Sequence, residues 1–214
     1  MKNQRDSTAY KLYLNLRRRY GRPSGQWGVW CKRPKTVTER EEVIIGAVLA
    51  QRTNWRNAER AIDALKTARV CSLAAVEQLG RRRRYELERL IRSSGFYRAK
   101  AVCLARLTDF FAASGGVEHV ARLPLAKFRQ ALLHLSGIGP ETADSILLYA
   151  LHRPVFVIDE YTRRLARSRR LTFHSDYDDL QRFFSTRLPK NPALYQDFHA
   201  LIVIDAKARK AKLK

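Results

Sequence analysis

One short stretch holds the residues that could do chemistry. It reads Leu135-Ser136-Gly137-Ile138-Gly139-Pro140-Glu141-Thr142-Ala143, with a lone carboxylate, Asp159, downstream. A Gly-x-Gly turn that opens a helix leaves bare backbone N–H groups at the positive helix end, where one phosphate can be held. A carboxylate beside that phosphate can stabilise a developing positive charge or orient an attacking water. The pairing points to an enzyme that processes DNA.

The elements that must position these residues are helical. Tyr10, Tyr13, Leu14 and Leu16 mark a first amphipathic helix. Further helices are predicted over 41–49, 55–68, 85–91, 99–113, 125–135, 141–151, 162–169, 178–188 and 195–207. Residues 21–35 carry three glycines, two prolines and two tryptophans and read as a loop. Val155 to Ile158 is ambiguous between strand and helix, and residues 207–214 read as a basic tail without order. The predicted class is all-α, with no internal repeat.

Composition narrows the partner. The 214 residues are 45% hydrophobic, enough for a core. Lys and Arg number 42 against 20 acids, a net charge of +22 that repels itself unless a polyanion is bound. Nucleic acid is the first such partner and an anionic membrane surface the second. No apolar run reaches the roughly 18–20 residues of a spanning helix. The first six residues hold no apolar signal core, so a cytoplasmic, nucleoid-associated location is expected. Cys31, Cys71 and Cys103 lack any Cys-x-x-Cys spacing for zinc or an iron–sulfur cluster and read as buried thiols.

Four motifs in register resemble the helix-hairpin-helix DNA glycosylases of the endonuclease III superfamily. They are the hairpin itself, the helix end Ala47-Val48-Leu49-Ala50-Gln51, the turn Gly95-Phe96-Tyr97-Arg98-Ala99-Lys100-Ala101, and the apolar run Val155-Phe156-Val157-Ile158-Asp159. Gln51 to Trp55, the hairpin from Gly137 to Leu147, and Phe198-His199-Ala200 with Lys207 further resemble the type III 3-methyladenine DNA glycosylases. The resemblance implies a six-helix domain over 36–152 containing the hairpin. A second helical domain is then formed by 1–35 together with 153–214, with a DNA-binding cleft between the two.

Site roles follow from the same resemblance. Asp159 matches the catalytic carboxylate, although it also suits the N-cap of a helix starting near Tyr161. Gln51 matches the residue that fills the hole left by the flipped base, and Phe96 the apolar wedge entering the opposite strand. Gly137, Ile138, Gly139 and Thr142 should grip a backbone phosphate. The carbonyls of Leu135, Gly137 and Ile138 match those that hold a monovalent cation, K or Na, when DNA is bound. Trp27, Trp30, Trp55, Glu141 and Lys207 are the expected base pocket. Arg81 to Arg84 and Arg163 to Arg170, with Arg163 and Arg164 foremost, are expected phosphate contacts.

One departure matters most. Bifunctional relatives carry a lysine where this chain has Glu141, and a glutamate cannot form a Schiff base. The expected protein is a monofunctional glycosylase, a monomer acting on double-stranded DNA with a damaged base. An alkylated purine resembling 3-methyladenine is favoured, since its positive charge makes it a good leaving group that aromatic faces can hold. No cofactor is required, and no iron–sulfur cluster is expected because the chain has no further cysteine after Lys207. Two readings stay open: an endonuclease III-like glycosylase/AP lyase for oxidised or mismatched pyrimidines, and a non-catalytic DNA lesion-binding protein.

Overall fold

A computed structural model describes Gln4 and residues 7–212. The stretch read for a signal core falls mostly outside them. Twelve α-helices and no strand occur among the described residues: α1 (Thr8–Tyr20), α2 (Val37–Leu49), α3 (Trp55–Thr67), α4 (Leu73–Arg82), α5 (Arg84–Leu90), α6 (Tyr97–Ala113), α7 (Gly116–Val120), α8 (Leu125–Leu133), α9 (Pro140–Ser145), α10 (Glu160–Ser168), α11 (Tyr177–Arg187) and α12 (Pro192–Lys212). The chain divides into a central unit, Pro34–Ile146, and a terminal unit, Met1–Arg33 with Leu147–Lys214. The expected boundary after 152 thus falls several residues late.

Local chemistry explains the starts. Ser7, Asn54, Ser72, Asp159 and Asp176 each accept a backbone N–H as an N-cap. Thr36 and Glu39 form a reciprocal capping box on α2. Two elements were not predicted. Residues 73–82 form α4 under the cap of Ser72, and the αL glycine Gly115 opens α7. The expected disordered tail is instead the last turns of α12 up to Lys212; residues 213 and 214 lie outside the described residues.

In the central unit the second half of α2 is apolar all round, with Val43 to Leu49 buried, and α2 packs against α3, α6, α7 and α9. α6 packs most extensively on α4. In the terminal unit α12 packs on α1 and α10. Its core is aromatic: Phe156 stacks on Phe184 at 4.6 Å and meets Phe198 and Tyr195 edge-on. Val155 to Ile158 is neither strand nor helix but a buried extended segment. The Phe156 carbonyl accepts from Gln181 Nε2 at 2.8 Å, which satisfies backbone that no ladder covers.

Candidate active site and nucleic-acid interface

The hairpin lies between α8 and α9. Gly137 has φ +95°, and a Cβ there would stand 3.0 Å from Cys103 Sγ, so only glycine fits. Ile138 N–H closes the turn on the Leu135 carbonyl at 2.9 Å. Gly139 is the N-cap of α9, gives no side-chain cap, and is followed by Pro140 at the helix start. The first-turn amides of α9 therefore lack the side-chain cap that most other helices here possess. Arg129 clasps the fully buried Asp144 through two hydrogen bonds of 2.7 and 3.0 Å, fixing α9 on α8.

Gln51 belongs to the same construction. Its Nε2 donates to the Gly137 carbonyl and to Thr142 Oγ1, both at 2.9 Å. Thr142 and Ile138 are themselves buried. Phe96 is 63% exposed, not a core aromatic, and adopts φ +47°. The neighbouring Arg52 is likewise left-handed at φ +49°, and its guanidinium lies 5.3 Å over the Phe96 ring. Non-glycine residues in this region each cost about 1–3 kcal/mol and persist where surrounding structure over-determines them.

Asp159 stands in the terminal unit. Its Oδ1 accepts Thr162 N–H at 2.7 Å, so it is the N-cap of α10 as well as the expected acid. Oδ2 lies 3.3 Å from His199 Nε2, and the two side chains are only 13% and 7% exposed. That Nε2 has no aligned hydrogen-bond partner, so the contact is electrostatic. Tyr149 Oη sits 2.7 Å from His199 Nδ1 and 3.2 Å from the Gln196 carbonyl. Taking the shorter contact as the hydroxyl's donation places the proton of a neutral His199 on Nε2, facing the carboxylate. Burial pushes the Asp159 carboxyl up, but adjacent His199 and the hydrogen bonds from Thr162 outweigh it and hold the group below its ordinary value. Burial drives the Tyr149 hydroxyl far above its ordinary value, so it stays protonated.

Tyr149 is placed by one π-helical turn, Ile146–Ala150, that continues α9. Trp27 and Trp30 pack edge-to-face on each other, and both contact the Tyr149 ring at 5.2–5.7 Å. They are 8% and 9% exposed, and the buried Trp27 Nε1 has no partner. Lys207 is exposed and donates to Gln26 Oε1 at 2.9 Å; burial of its amine lowers its pKa, partly countered by Asp159.

The terminal unit thus gathers Asp159, Trp27, Trp30 and Lys207, while the central unit gathers Gln51, Phe96, Leu135, Gly137, Ile138, Gly139, Glu141 and Thr142. Trp55 also lies in the central unit, at the start of α3, where its Nε1 donates to Glu59 at 3.2 Å. Glu141 is exposed in the first turn of α9. Arg163 donates to the Ser175 carbonyl and lies over Tyr177. Arg164 is exposed and paired with Glu160 at 2.7 Å.

Arg81 to Arg84, the other expected phosphate contacts, sit among acids. The run is split between α4 and α5, and Arg81, Arg83 and Arg84 pair with Asp109 and Glu77, with Glu86, and with Glu88. It is a charge-balanced surface, because acids three or four residues away share its helix faces. The roles of His199, Tyr149, Arg52, Lys100 and the Arg129–Asp144 clasp emerge only with the fold. A lone His or Lys inside an apolar helix is the one signal the sequence offers for them.

A buried carboxylate with a histidine behind it, and a glycine hairpin on a basic chain, define a DNA-processing helical protein. The family model described as HhH-GPD superfamily base excision DNA repair protein matches residues 45–190. A protein of Methanocaldococcus jannaschii named as a DNA repair glycosylase is 37% identical over 207 residues, 95% of this chain and 89% of its own. The H. pylori 3-methyladenine DNA glycosylase (MagIII) bound to 1,N6-ethenoadenine superposes with a TM-score of 0.75 at 26% identity, covering 94% of this chain and 98% of that one. A non-covalent endonuclease III–DNA complex shares the fold, with a TM-score of 0.70 at 17% identity over 95% of this chain and 86% of that one. The chain belongs to the HhH-GPD superfamily of base excision DNA repair proteins, as a DNA glycosylase. Among the described residues no helix is long and apolar enough to cross a membrane, and no cluster of His, Cys, Asp and Glu could hold a metal ion.

Proposed function

We propose that this protein is a monofunctional glycosylase that hydrolyses the N-glycosidic bond of an alkylated purine, 3-methyladenine-like, in double-stranded DNA. The observation that carries the reading is Asp159: a mostly buried carboxylate, kept ionised by His199 and the α10 N-terminus. Held so, it stabilises the cationic sugar that forms as the base leaves and orients the water that attacks it. Water supplies the oxygen bonded to the sugar carbon, its proton passes to the carboxylate, and the base departs with the bonding electron pair. The cationic purine needs little acid assistance, which suits a site whose polar groups are Asp159, His199 and a protonated Tyr149.

Trp27, Trp30, Trp55, Glu141 and Lys207 are proposed as the residues that recognise the base. The hairpin amides around Gly137, Gly139 and Thr142, beside the turn that Ile138 closes, take a phosphate, and Arg163 and Arg164 add further phosphate contacts. The Leu135 and Gly137 carbonyls each accept one hydrogen bond and keep a lone pair for K or Na, as does Ile138. The reading requires no iron–sulfur cluster and takes the protein as a monomer.

Glu141 and Lys100 exclude themselves as Schiff-base amines, the first by chemistry and the second because its amine is buried on two carbonyls. Lys207 favours a second reading, an AP lyase, because its amine has a lowered pKa and is coupled to Asp159. The test is base release from duplexes bearing 3-methyladenine, 7-methylguanine, thymine glycol or a T·G mismatch, by wild type and Asp159→Asn. Methylpurine release lost in the variant, with strand breaks only after alkali, supports the reading. A borohydride-trapped adduct abolished by Lys207→Ala would replace it with the lyase.

A further inference from the structure

Lys100 is 3% exposed in the first turns of α6, a poor place for a cation. Among the described residues no carboxylate pairs with it. Its Nζ instead donates to the Leu49 carbonyl at 2.8 Å and the Ser94 carbonyl at 2.7 Å. Burial lowers the amine to about 8. A desolvated ammonium is retained only where its donors are used, and here they tie together two chain segments.

Both segments lead directly to strained, exposed residues. Leu49 ends α2, and the chain continues through Gln51 to Arg52; Ser94 precedes Gly95 and Phe96. Arg52 and Phe96 are the left-handed pair that stack guanidinium on ring. Gln51, between Leu49 and Arg52, is fastened to the hairpin. The loops are thus pinned from below by one amine and from the side by one amide.

We propose that Arg52 completes the wedge that the family resemblance places at Phe96, so that the pair enters the opened base stack as one cationic unit, and that Lys100 is the positioning residue that sets it. The proposal rests on the glycosylase reading above. The Phe96 ring would replace stacking lost when a nucleotide leaves the helix. Arg52 backs the ring face and presents its N–H fork to the acceptors of the opened site.

The experiment uses duplexes with 2-aminopurine beside a tetrahydrofuran site, whose fluorescence rises on unstacking. No base is released from that site, so the readout is separate from glycosylase activity. Wild type should raise the fluorescence; no rise would overturn the proposal. Phe96→Ala, Arg52→Ala and Lys100→Met should each shift the unstacking equilibrium about tenfold, a wedge-sized effect. Affinity for undamaged duplex should fall much less than the unstacking equilibrium, since the phosphate grip lies elsewhere. In the Phe96→Ala background Lys100→Met should add nothing, whereas a merely structural lysine would add its full effect and overturn the proposal. Arg52→Ala is an exposed change, and unaltered unstacking in it overturns the wedge. If Lys100→Met does not fold, amide exchange in wild type decides the strut. Gln51 and Gly95 should be protected like α6, and exchange at free-loop rates would overturn it.

Discussion

Asp159 is mostly buried beside His199, whose ring packs on Trp27 and Tyr149, while Phe96 stands largely in solvent at a dihedral angle that costs energy. The first arrangement suits chemistry. A low-polarity, pre-oriented setting makes a single carboxylate effective against a developing cation, and nothing need move at the moment of reaction. The second suits mechanical work on DNA, where an apolar side chain must stay exposed until a stack is opened. Both regions depend on backbone donors at helix starts, used in opposite ways. Asp159 occupies its own helix's N-terminus, whereas Gly139 leaves that of α9 without a side-chain cap.

The largest effect should come from the chemical side. Asp159→Asn removes the negative charge while retaining an N-cap, so the fold should survive. Single-turnover base release should fall by about 10²–10³-fold, the size of one lost electrostatic stabiliser. Affinity for the abasic duplex should change little. Equal losses in binding and turnover would mean that Asp159 serves DNA docking and would erase the contrast between the two regions.

His199→Phe tests whether the ring N–H that faces Asp159 is what separates them. Its ring can replace the packing against Trp27 and Tyr149 but gives Asp159 no proton. The native carboxyl lies below its ordinary value. Its ionised form therefore stabilises the fold above the unfolded-state pKa, and that stability is lost as pH falls through the lower folded pKa. Without His199 the burial effect dominates, so the acid limb of kcat/KM should move to higher pH. The stability lost on acidification should shrink or reverse sign in the same variant. Rates should therefore fall most at the acid end of the profile and least near neutral pH, where the carboxyl stays ionised. A pH–rate profile with an unmoved acid limb would assign His199 to packing alone.

Gly137→Ala probes the DNA-handling side. The alanine must adopt φ +95° and its Cβ meets Cys103 Sγ at 3.0 Å. Urea unfolding should show a loss of about 1–3 kcal/mol from the strained backbone. Affinity for undamaged duplex should weaken about tenfold if the turn holds a phosphate, one charge-assisted contact being worth that much. Cys103→Ala alongside should recover part of the stability, because it removes the Sγ contact and leaves the 3.2 Å contact with the Cys103 Cβ and the dihedral strain. Full recovery would make the glycine a packing requirement rather than a conformational one.

How far these regions are legible in sequence follows the same division. The hairpin, Gln51 and Asp159 can be read because they lie in contiguous motifs whose spacing survives without a structure. The helix around Leu73 escapes because its first turn, Leu73-Ala74-Ala75, has few polar marks, and the cap Ser72 follows a cysteine rather than a Gly or Pro break. His199 sits inside a recognisable motif, yet its role is hidden there, since its partners Asp159 and Tyr149 are 40 and 50 residues away in sequence. Lys100 reads in sequence only as an amine, and its two backbone partners have no side-chain signature at all. Charge runs mislead for a simpler reason. A count of arginines at 81–84 ignores Glu77, Glu86, Glu88 and Asp109, which neutralise them on neighbouring helix turns.

Arg164 gives the smallest effect and the sharpest view of that last point. It resembles the paired arginines at 81–84, since Glu160 holds it one helical turn away, yet it lies five residues after Asp159. Exposed i,i+4 pairs contribute about 0.3–0.5 kcal/mol, so Arg164→Ala should scarcely change the urea midpoint. Its effect on DNA separates the two kinds of basic run. A side chain that leaves Glu160 for a phosphate should lower the slope of log affinity against log salt by about 1, uniformly across sequences. Arg83→Ala, changed in parallel, should leave that slope alone, because its carboxylate neighbour cancels the charge. Identical slopes for both variants and wild type would place Arg164 with the balanced surface and leave Arg163 as the phosphate ligand of α10.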